Sequence, residues 1–555
     1  MIDAHDYAGQ WIALDKNQNI VGSGKSPETV RDQLKIKYEA TTEQPLTIAW
    51  VPPYPPYLLL PEWPLQLLKP LFKNQDVWLA GGAVRDLLLQ RPMHDWDFTV
   101  AGKAMSLTRK IANALHGAYV TLDADHDTAR AVVKDPATDQ PITLDFAALR
   151  GQTIEEDLCL RDFTINAMAL TLEGELIDPT GGREDLKTGI VRVTNAQAFK
   201  QDPARLLRAL RVAGELQLEI ETQTCTMIRA QKADITEVSA ERIQAELLRI
   251  LALDETAPTL THAEKLGLLA EVLPEVSTLQ TVEQSWPHYC TDALTHTLNT
   301  VTATGALINI LKEESAPLDL PTPDWSWETA KKVLLPFKAP LDTYLAVPLA
   351  ADMPRKAMLK WGALLHDIGK AHTRTVDQDQ RVHFYGHPEK GVELAKRRLA
   401  NLRFPNQACD FVATLVGAHM RLIGLGKEPL SRRTIYRFYR DTGEAGIGVV
   451  LLALADALAV WGPQLERERW QRLLTTAETL LQAYFEHQKE VVAPSLLLNG
   501  HELIAMGIEP GPGMGHLLAK LQEAQAAGEV QTKDEAATFI HTMLKADGID
   551  KGPTK

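Results

Sequence analysis

The sequence predicts an α+β chain of several domains, with its strands near the front and helices through most of the remainder. Three observations predict this. At 555 residues the chain exceeds what one hydrophobic core serves. From residue 77 to about 193 short apolar strands alternate with helical segments. From Asp202 the apolar period becomes helical, with few glycines to about residue 273. The composition, 45% hydrophobic and 23% charged, is that of a folded chain.

Several classes are set aside by what is lacking. No basic segment followed by an apolar run opens the chain, and no run of eighteen apolar residues is found, so the expectation is a cytoplasmic protein with no membrane partner. Cys159, Cys225, Cys290 and Cys409 are too scattered for a structural zinc site or a disulfide framework. A formal charge of −14 restricts any nucleic-acid contact to local basic patches, because phosphate binding needs Lys and Arg to displace counterions.

Residues 1–55 read as a small ββαβ module. A strand at Trp11 to Leu14, a polar turn Lys16-Asn17-Gln18-Asn19 and a strand from Ile20 lead to Ser26-Pro27, where Ser as cap and Pro at the first position start a helix to about Tyr38. A strand over 46–51 closes the module, in which no chemistry is visible. Pro52, Pro53, Pro55 and Pro56 mark a stiff linker, and the next domain starts near Pro61.

Val77-Trp78-Leu79-Ala80 is an apolar strand running into Gly81-Gly82 and then a helix through Arg85-Asp86. Glycines admit oxyanions close to the backbone, and helix N-terminal amides point at them. The residues alone equally fit a tight strand-to-helix turn. Next, His94-Asp95-Trp96-Asp97-Phe98-Thr99-Val100 reads as a strand whose period of two puts Asp95 and Asp97 on one face. Paired carboxylates repel unless a cation lies between them, so the pair suits a hard divalent metal, or else they are solvated edge groups. Asp145, in the apolar strand Ile142-Thr143-Leu144-Asp145-Phe146, is a candidate third carboxylate.

In this order the motifs resemble the class II tRNA nucleotidyltransferase and poly(A) polymerase family, part of the polymerase-β-like superfamily. Gly81 to Asp86 resembles its triphosphate loop, with Gly81, Gly82 and Arg85 as triphosphate ligands, and Asp95-Trp96-Asp97 its catalytic Mg²⁺ pair. Asp145 through Arg150 resembles the third-carboxylate strand. The stretch 157–168, with Arg161, Asp162 and Asn166, resembles the ribose- and phosphate-binding motif, although Leu160 stands where arginine is common. The glycine turn over 178–186 resembles the flexible turn between catalytic head and neck. Gln201-Asp202-Pro203-Ala204-Arg205 resembles the element that reads the Watson-Crick edge of CTP or ATP, without the usual acid at Gln201. By themselves Asp202 and Arg205 also fit a capping Asp and a surface ion pair. Arg208 and Arg211 follow at helical spacing as candidate phosphate ligands, and Ser239-Ala240-Glu241-Arg242-Ile243 resembles the neck helix that closes the pattern.

Downstream, Leu364-Leu365-His366-Asp367 ends an apolar helix. With His296, His387, His419 and Asp456 it resembles the spaced ligand set of the HD superfamily, which implies a divalent transition metal or Mg²⁺ and water attack on a phosphate ester. Lys370 either contacts phosphate or caps the local turn. Over 421–440, arginines alternate with Tyr436, Phe438 and Tyr439, which fits either a grip on RNA or a helix with aromatics inward and arginines in water. The glycine-rich turn over 507–515 resembles the tail-domain turn of bacterial relatives and is otherwise an interhelical loop.

The expectation is therefore a ββαβ module at 1–55, a polymerase-β-like nucleotidyltransferase head at 61–195, a helical neck at 196–275, an HD domain at 280–475 and a helical tail at 476–555. The resemblance implies addition of CMP or AMP to the 3′ end of tRNA, as CCA or A addition, from CTP and ATP. The rivals are a poly(A) polymerase and an HD phosphohydrolase whose head only binds RNA. The role of residues 1–55 and the oligomeric state are left open.

Overall fold

A computed structural model describes residues 7, 10–15, 19–37, 47–51, 60–61, 65, 68–72, 75–91, 95–135, 139–253, 256–285, 288–311, 320–350, 353–379, 381–426 and 429–546. The prolines at 52–56, His94, the polar turn at 16–18, Tyr38, Leu46 and Lys427 lie outside the described residues. The chain divides into two compact units, residues 1–234 and 235–555. That boundary falls inside the expected neck.

In the first unit, strands β1 (Trp11–Leu14), β2 (Ile20–Gly24), β3 (Thr47–Trp50) and β4 (Leu60–Pro61) form a sheet in the order β2-β1-β3-β4. The expected ββαβ order holds, with the helix at Pro27–Lys37 and the Ser26 hydroxyl accepting from the Thr29 amide at 3.2 Å. The sheet gains β4 from beyond the proline-rich segment.

Residues 77–177 build a seven-stranded sheet. Its strands β5 (Val77–Ala80), β6 (Asp95–Val100), β7 (Ala118–Asp123), β8 (Thr128–Lys134), β9 (Pro141–Ala148), β10 (Ala169–Leu170) and β11 (Leu176–Ile177) lie in the order β11-β10-β5-β6-β9-β8-β7. β6 and β9 run parallel, while their outer neighbours are antiparallel. The register follows from which side chains are apolar. Phe98 and Phe146 are partners across β6 and β9, and their rings stack at 4.9 Å with Phe72 against both. Because side chains alternate faces, burying this aromatic set turns Asp97 and Asp145 to the opposite face, and a slip of one residue would exchange the two.

The helices Arg205–Leu216 and Thr222–Gln231 complete this unit. Gly181, at φ 78°, precedes a helix at Gly182–Thr188 whose first amides, Gly182 and Arg183, are held by Asp178 at 2.8 and 3.0 Å. A Cβ on Gly182 would sit 2.0 Å from the Thr164 carbonyl oxygen, so this turn is pinned onto the head.

The second unit is helical. Ala293–Ile310, Arg355–Leu365, Asn406–Ala418 and Gly446–Trp461 pack together, with His387–Asn401 against Asn406–Ala418. Glycines let the helices approach, since a Cβ on Gly362 would meet Leu415 at 2.4 Å. The helical run over 432–464 contains a window apolar enough by composition to cross a membrane, but 89% of that window is buried inside the bundle. Tail helices Gly500–Ala505, Pro512–Ala527 and Lys533–Ala546 share a core around Leu503, Leu517, Leu521 and Ile540.

The 421–440 stretch takes a third course beside the two that its sequence allows. Tyr436, Phe438 and Tyr439 are buried, while Arg437, Arg433 and Arg440 reach Glu523 of the tail at 2.6, 3.3 and 3.3 Å. These arginines fasten the tail helix rather than facing water alone.

Candidate functional site

The head builds its site at the end of β5. Gly81 adopts φ 70°, a conformation that favours glycine, and the chain turns there into the helix Gly82–Leu88. A Cβ on Gly81 would lie 2.8 Å from Arg161 Nη1 and 3.6 Å from Asp97 Oδ2, and one on Gly82 would lie 3.7 Å from the same carboxylate oxygen. The diglycine turn thus opens beside Asp97, between two guanidinium groups.

Asp97 pairs directly with Asp145 across β6 and β9, and Asp95 stands two residues away on the same face, its carboxylate accepting from the Thr143 hydroxyl. Burial first, then Asp145 and Asp95, push Asp97 up to about 6 against the pull of Arg161 and Arg85. A buried carboxylate crowded by two others fits a divalent cation between them.

Around it stands a basic wall tied together by its own acids. Arg85 donates to Asn166 Oδ1 at 2.8 Å and to Asp86, and Arg161 donates to Asp157 at 3.1 Å and to Thr99 at 2.8 Å. Arg150 lies 4.0 Å from Asp157. Asp162 accepts from the Phe163 amide at 2.8 Å, from Asn166 at 3.2 Å and from Arg208 at 3.3 Å. Burial alone would raise Asp162, but Arg208 and these donors hold it below the ordinary carboxylate value. Arg211 donates to Glu215 at 2.9 Å.

Asp202 accepts from the Ala204 amide, and Arg205 donates to the carbonyls of Leu160, Arg161 and Ala198. Arg205 is therefore buried and anchored rather than part of a surface ion pair, and burial lowers its pKa. Its Nε has no partner among the described residues.

All of the candidate head residues, from Gly81 to Arg211, line one cavity of about 640 Å³. Sequence reasoning missed Arg130 and Thr143, which hold Asp145 and Asp95. Arg130 donates Nε and Nη2 to Asp145 at 2.7 and 2.8 Å. The alternation of Ala129, Ala131 and Val133 carries a signal for Arg130, since it sets that side chain on the other face, but its partner depends on the β8 and β9 register.

In the second unit the six downstream candidates meet in the bundle. His296, His366 and Asp456 bring ligand atoms within 4.8 Å of one another, and Asp367, His387 and His419 do the same. Asp367 joins the two groups, at 3.2 Å from His296, 3.1 Å from His366 and 3.4 Å from His387. Nδ1 of His366, His387 and His419 donates to the carbonyls of Ala363, Phe384 and Val416, which turns each Nε2 inward.

Charge balance supports the same fit. Burial would raise Asp367 and Asp456, yet His366 and Lys370 at the first, and His296 and His366 at the second, hold both well below the usual range. In return His366 is pushed up to about 10 against its burial, chiefly by Asp367. His366 and Lys370 balance that buried negative charge, and a divalent cation would take the place of the His366 proton. Lys370 is buried at 2.6 Å from Asp367, three residues before it, and 2.6 Å from Gln284, so it ties the local turn while lining the cavity above the ligands.

Asp367, His387, His419 and Asp456 of this set floor a cavity of about 890 Å³ whose walls include Trp461, Trp470, Ile423 and Arg469. His288, also in that wall and 3.2 Å from Lys370, was not foreseen from sequence, where it has no spacing relation to the HD set.

Fold and cavities define a nucleotidyltransferase head joined in one chain to an HD bundle. Comparison with known proteins agrees. Models described as Poly A polymerase head domain, Probable RNA and SrmB-binding site of polymerase A, and HD domain match residues 77–192, 217–279 and 343–461. A Family of unknown function (DUF5678) matches residues 4–54. A CC-adding tRNA nucleotidyltransferase of Thermus thermophilus is 32% identical over 85% of this chain and 94% of its own length. An A-adding tRNA nucleotidyltransferase of Deinococcus radiodurans is 31% identical over 83% and 94%. A solved CCA-adding enzyme with ATP shares the fold at TM-score 0.55 and 21% identity, covering 86% of this chain and 94% of that one. The chain belongs to the class II tRNA nucleotidyltransferase and poly(A) polymerase family, and it is a tRNA nucleotidyltransferase.

Proposed function

We propose that the chain transfers CMP or AMP from CTP or ATP to the 3′ end of tRNA, with Asp95, Asp97 and Asp145 as its catalytic carboxylates. The observation that carries this reading is the gathering of those acids, the diglycine turn and the basic wall on one cavity. Asp95 and Asp97 are the residues that would hold Mg²⁺, whose chemistry is to lower the pKa of the attacking hydroxyl and neutralise charge on the leaving pyrophosphate. The Gly81 and Gly82 amides with Arg85 and Arg161 bind the triphosphate, while Arg150, Asp162, Asn166, Arg208 and Arg211 bind ribose and phosphates. Asp202 accepts from the exocyclic amine that cytosine and adenine share, and Arg205 supplies the neighbouring donor. Catalysis comes from positioning and fixed charge, without a covalent intermediate.

Relatives that align over most of this chain carry the names CC-adding and A-adding, which supports C or A addition over polyadenylation. Solved neighbours include complexes with CTP, with ATP and with tRNA, in keeping with those partners. The division at 61–195, 196–275 and 280–475 is in keeping with where the family models fall, and 476–555 with the core that the tail helices share.

The HD ligand set supports a second activity at a separate place. His296, His366, Asp367, His387, His419 and Asp456 would hold a divalent transition metal or Mg²⁺, which supplies activated water for phosphate-ester hydrolysis.

A ladder of tRNAs lacking one, two or three 3′ nucleotides, given CTP and ATP separately, tests the reading. Incorporation on defined rungs is expected. ATP runs on any RNA would make the chain a poly(A) polymerase instead. Asp95→Ala with Asp97→Ala should abolish incorporation and spare phosphatase activity, and His366→Ala with Asp367→Ala should do the reverse. Full incorporation by the first pair would overturn the site assignment.

A further inference from the structure

We propose that Arg130 is a primer-side positioning residue, which steadies Asp145 and offers its remaining guanidinium edge to the last phosphodiester of the nucleic acid being extended. This rests on the transfer reading above.

Asp97, Asp145 and Arg130 stand in one row across the sheet, because Asp97 is paired with Asp145 on β9 and Asp145 with Arg130 on β8. The diglycine turn, with Arg161 and Arg85, lies at the other end of that row. A Cβ on Gly81 or Gly82 would lie within 3.7 Å of Asp97 Oδ2, and Arg161 and Arg85 flank them. In-line displacement puts the attacking hydroxyl opposite the departing pyrophosphate. With pyrophosphate on the diglycine side of Asp97, the hydroxyl comes from the Asp145 side, and the chain that carries it lies over Asp145 and Arg130.

Arg130 is built for that place. Its Nε and Nη2 form a two-point bond with Asp145, which leaves Nη1 with no partner among the described residues. Its side chain keeps 37% of its exposure, whereas Asp145 keeps 19%. Neighbouring Thr128 and Asp145 line the cavity, and the β7 partner of Arg130, Val120, is exposed. Beyond Arg130 the row reaches only exposed Val120, so the arginine keeps an edge toward solvent, and a guanidinium edge suits a phosphate.

The test uses the full chain and the tRNA rung that wild type extends. Arg130→Ala and Arg130→Gln should raise the KM for tRNA about tenfold while the KM for NTP stays within about twofold, the size of one lost charged contact. The dependence of log tRNA affinity on log salt should flatten by about 0.7, the contribution of one single-strand phosphate. Arg130→Lys keeps the charge without the fork, so it should keep the slope and lose kcat. If Arg130→Ala lowers Tm, Arg130→Gln, whose amide still donates to Asp145, carries the measurement. An unchanged slope and tRNA KM, or an equal rise in both KM values, would overturn the role of Arg130. A wild type that extends no rung would overturn the transfer reading itself.

Discussion

Asp97 and Asp145 are direct partners across the parallel β6 and β9 pair, on the face opposite the stacked rings of Phe98 and Phe146. The aromatic side fixes the register, and the register forces two carboxylates together.

That enforced repulsion predicts a split between activity and stability. Asp97→Asn removes a buried charge that burial and Asp145 disfavour, so without metal the variant should melt no lower than wild type at pH 7.5. Its incorporation should fall at least about a hundredfold, the usual cost of losing one electrostatic element of a transition-state site. Mg²⁺ should raise the melting temperature of wild type more than that of the variant, which keeps the HD ligand set. Thermal melts with and without Mg²⁺, beside single-turnover incorporation, check all three, and an active Asp97→Asn would sink the assignment.

Gly369 joins the two halves of the HD set without being a ligand. A Cβ there would lie 2.1 Å from the His387 carbonyl oxygen and 2.8 Å from the Gly391 amide. Gly369→Ala should therefore push the helix that carries His387 from the turn that carries Asp367, at a cost of about 1–3 kcal/mol for the overpacking. Bound divalent metal, measured by atomic emission, should drop below half of wild type, while nucleotide incorporation continues. Normal metal content in this variant would mean that the close approach does not hold the ligands in register.

What was readable in the sequence was local. The glycine pair after an apolar strand, the period-two placement of Asp95 and Asp97, and Ser26-Pro27 as a helix start each depend on neighbours within a few residues, and the structure shows each element where it was expected. Pairings across long separations were not readable. Arg130 finds Asp145 only through the β8 and β9 register, and Arg437 finds Glu523 across 86 residues. Arg205 shows the limit best, since a helical spacing that suits a surface ion pair belongs to a guanidinium buried on three carbonyls. The HD ligands were legible only as a resemblance, because nothing local joins His296 to Asp456.

The Glu523 contact predicts how acid loosens the tail. Glu523 is buried, and hydrogen bonds from Arg437 come first among the causes that lower its pKa from 4.5, with the charges of Arg433 and Arg440 adding to them against its burial. A carboxyl whose folded value lies below its unfolded one gives stability that is complete above the unfolded value and lost as pH falls through the folded value. The tail helix Pro512–Ala527 should therefore hold firmly at pH 7 and loosen below about pH 4.5. Glu523→Gln keeps the shape and removes the charge, so at pH 7 its amides in that helix should exchange about tenfold faster, from a loss of about 1–2 kcal/mol. The difference between the two proteins should shrink as pH falls further below 4.5 and the wild-type carboxyl takes up a proton. Hydrogen exchange read by mass spectrometry on peptides from that helix makes the comparison, and equal protection at pH 7 would mean that the arginine cluster contributes nothing to docking.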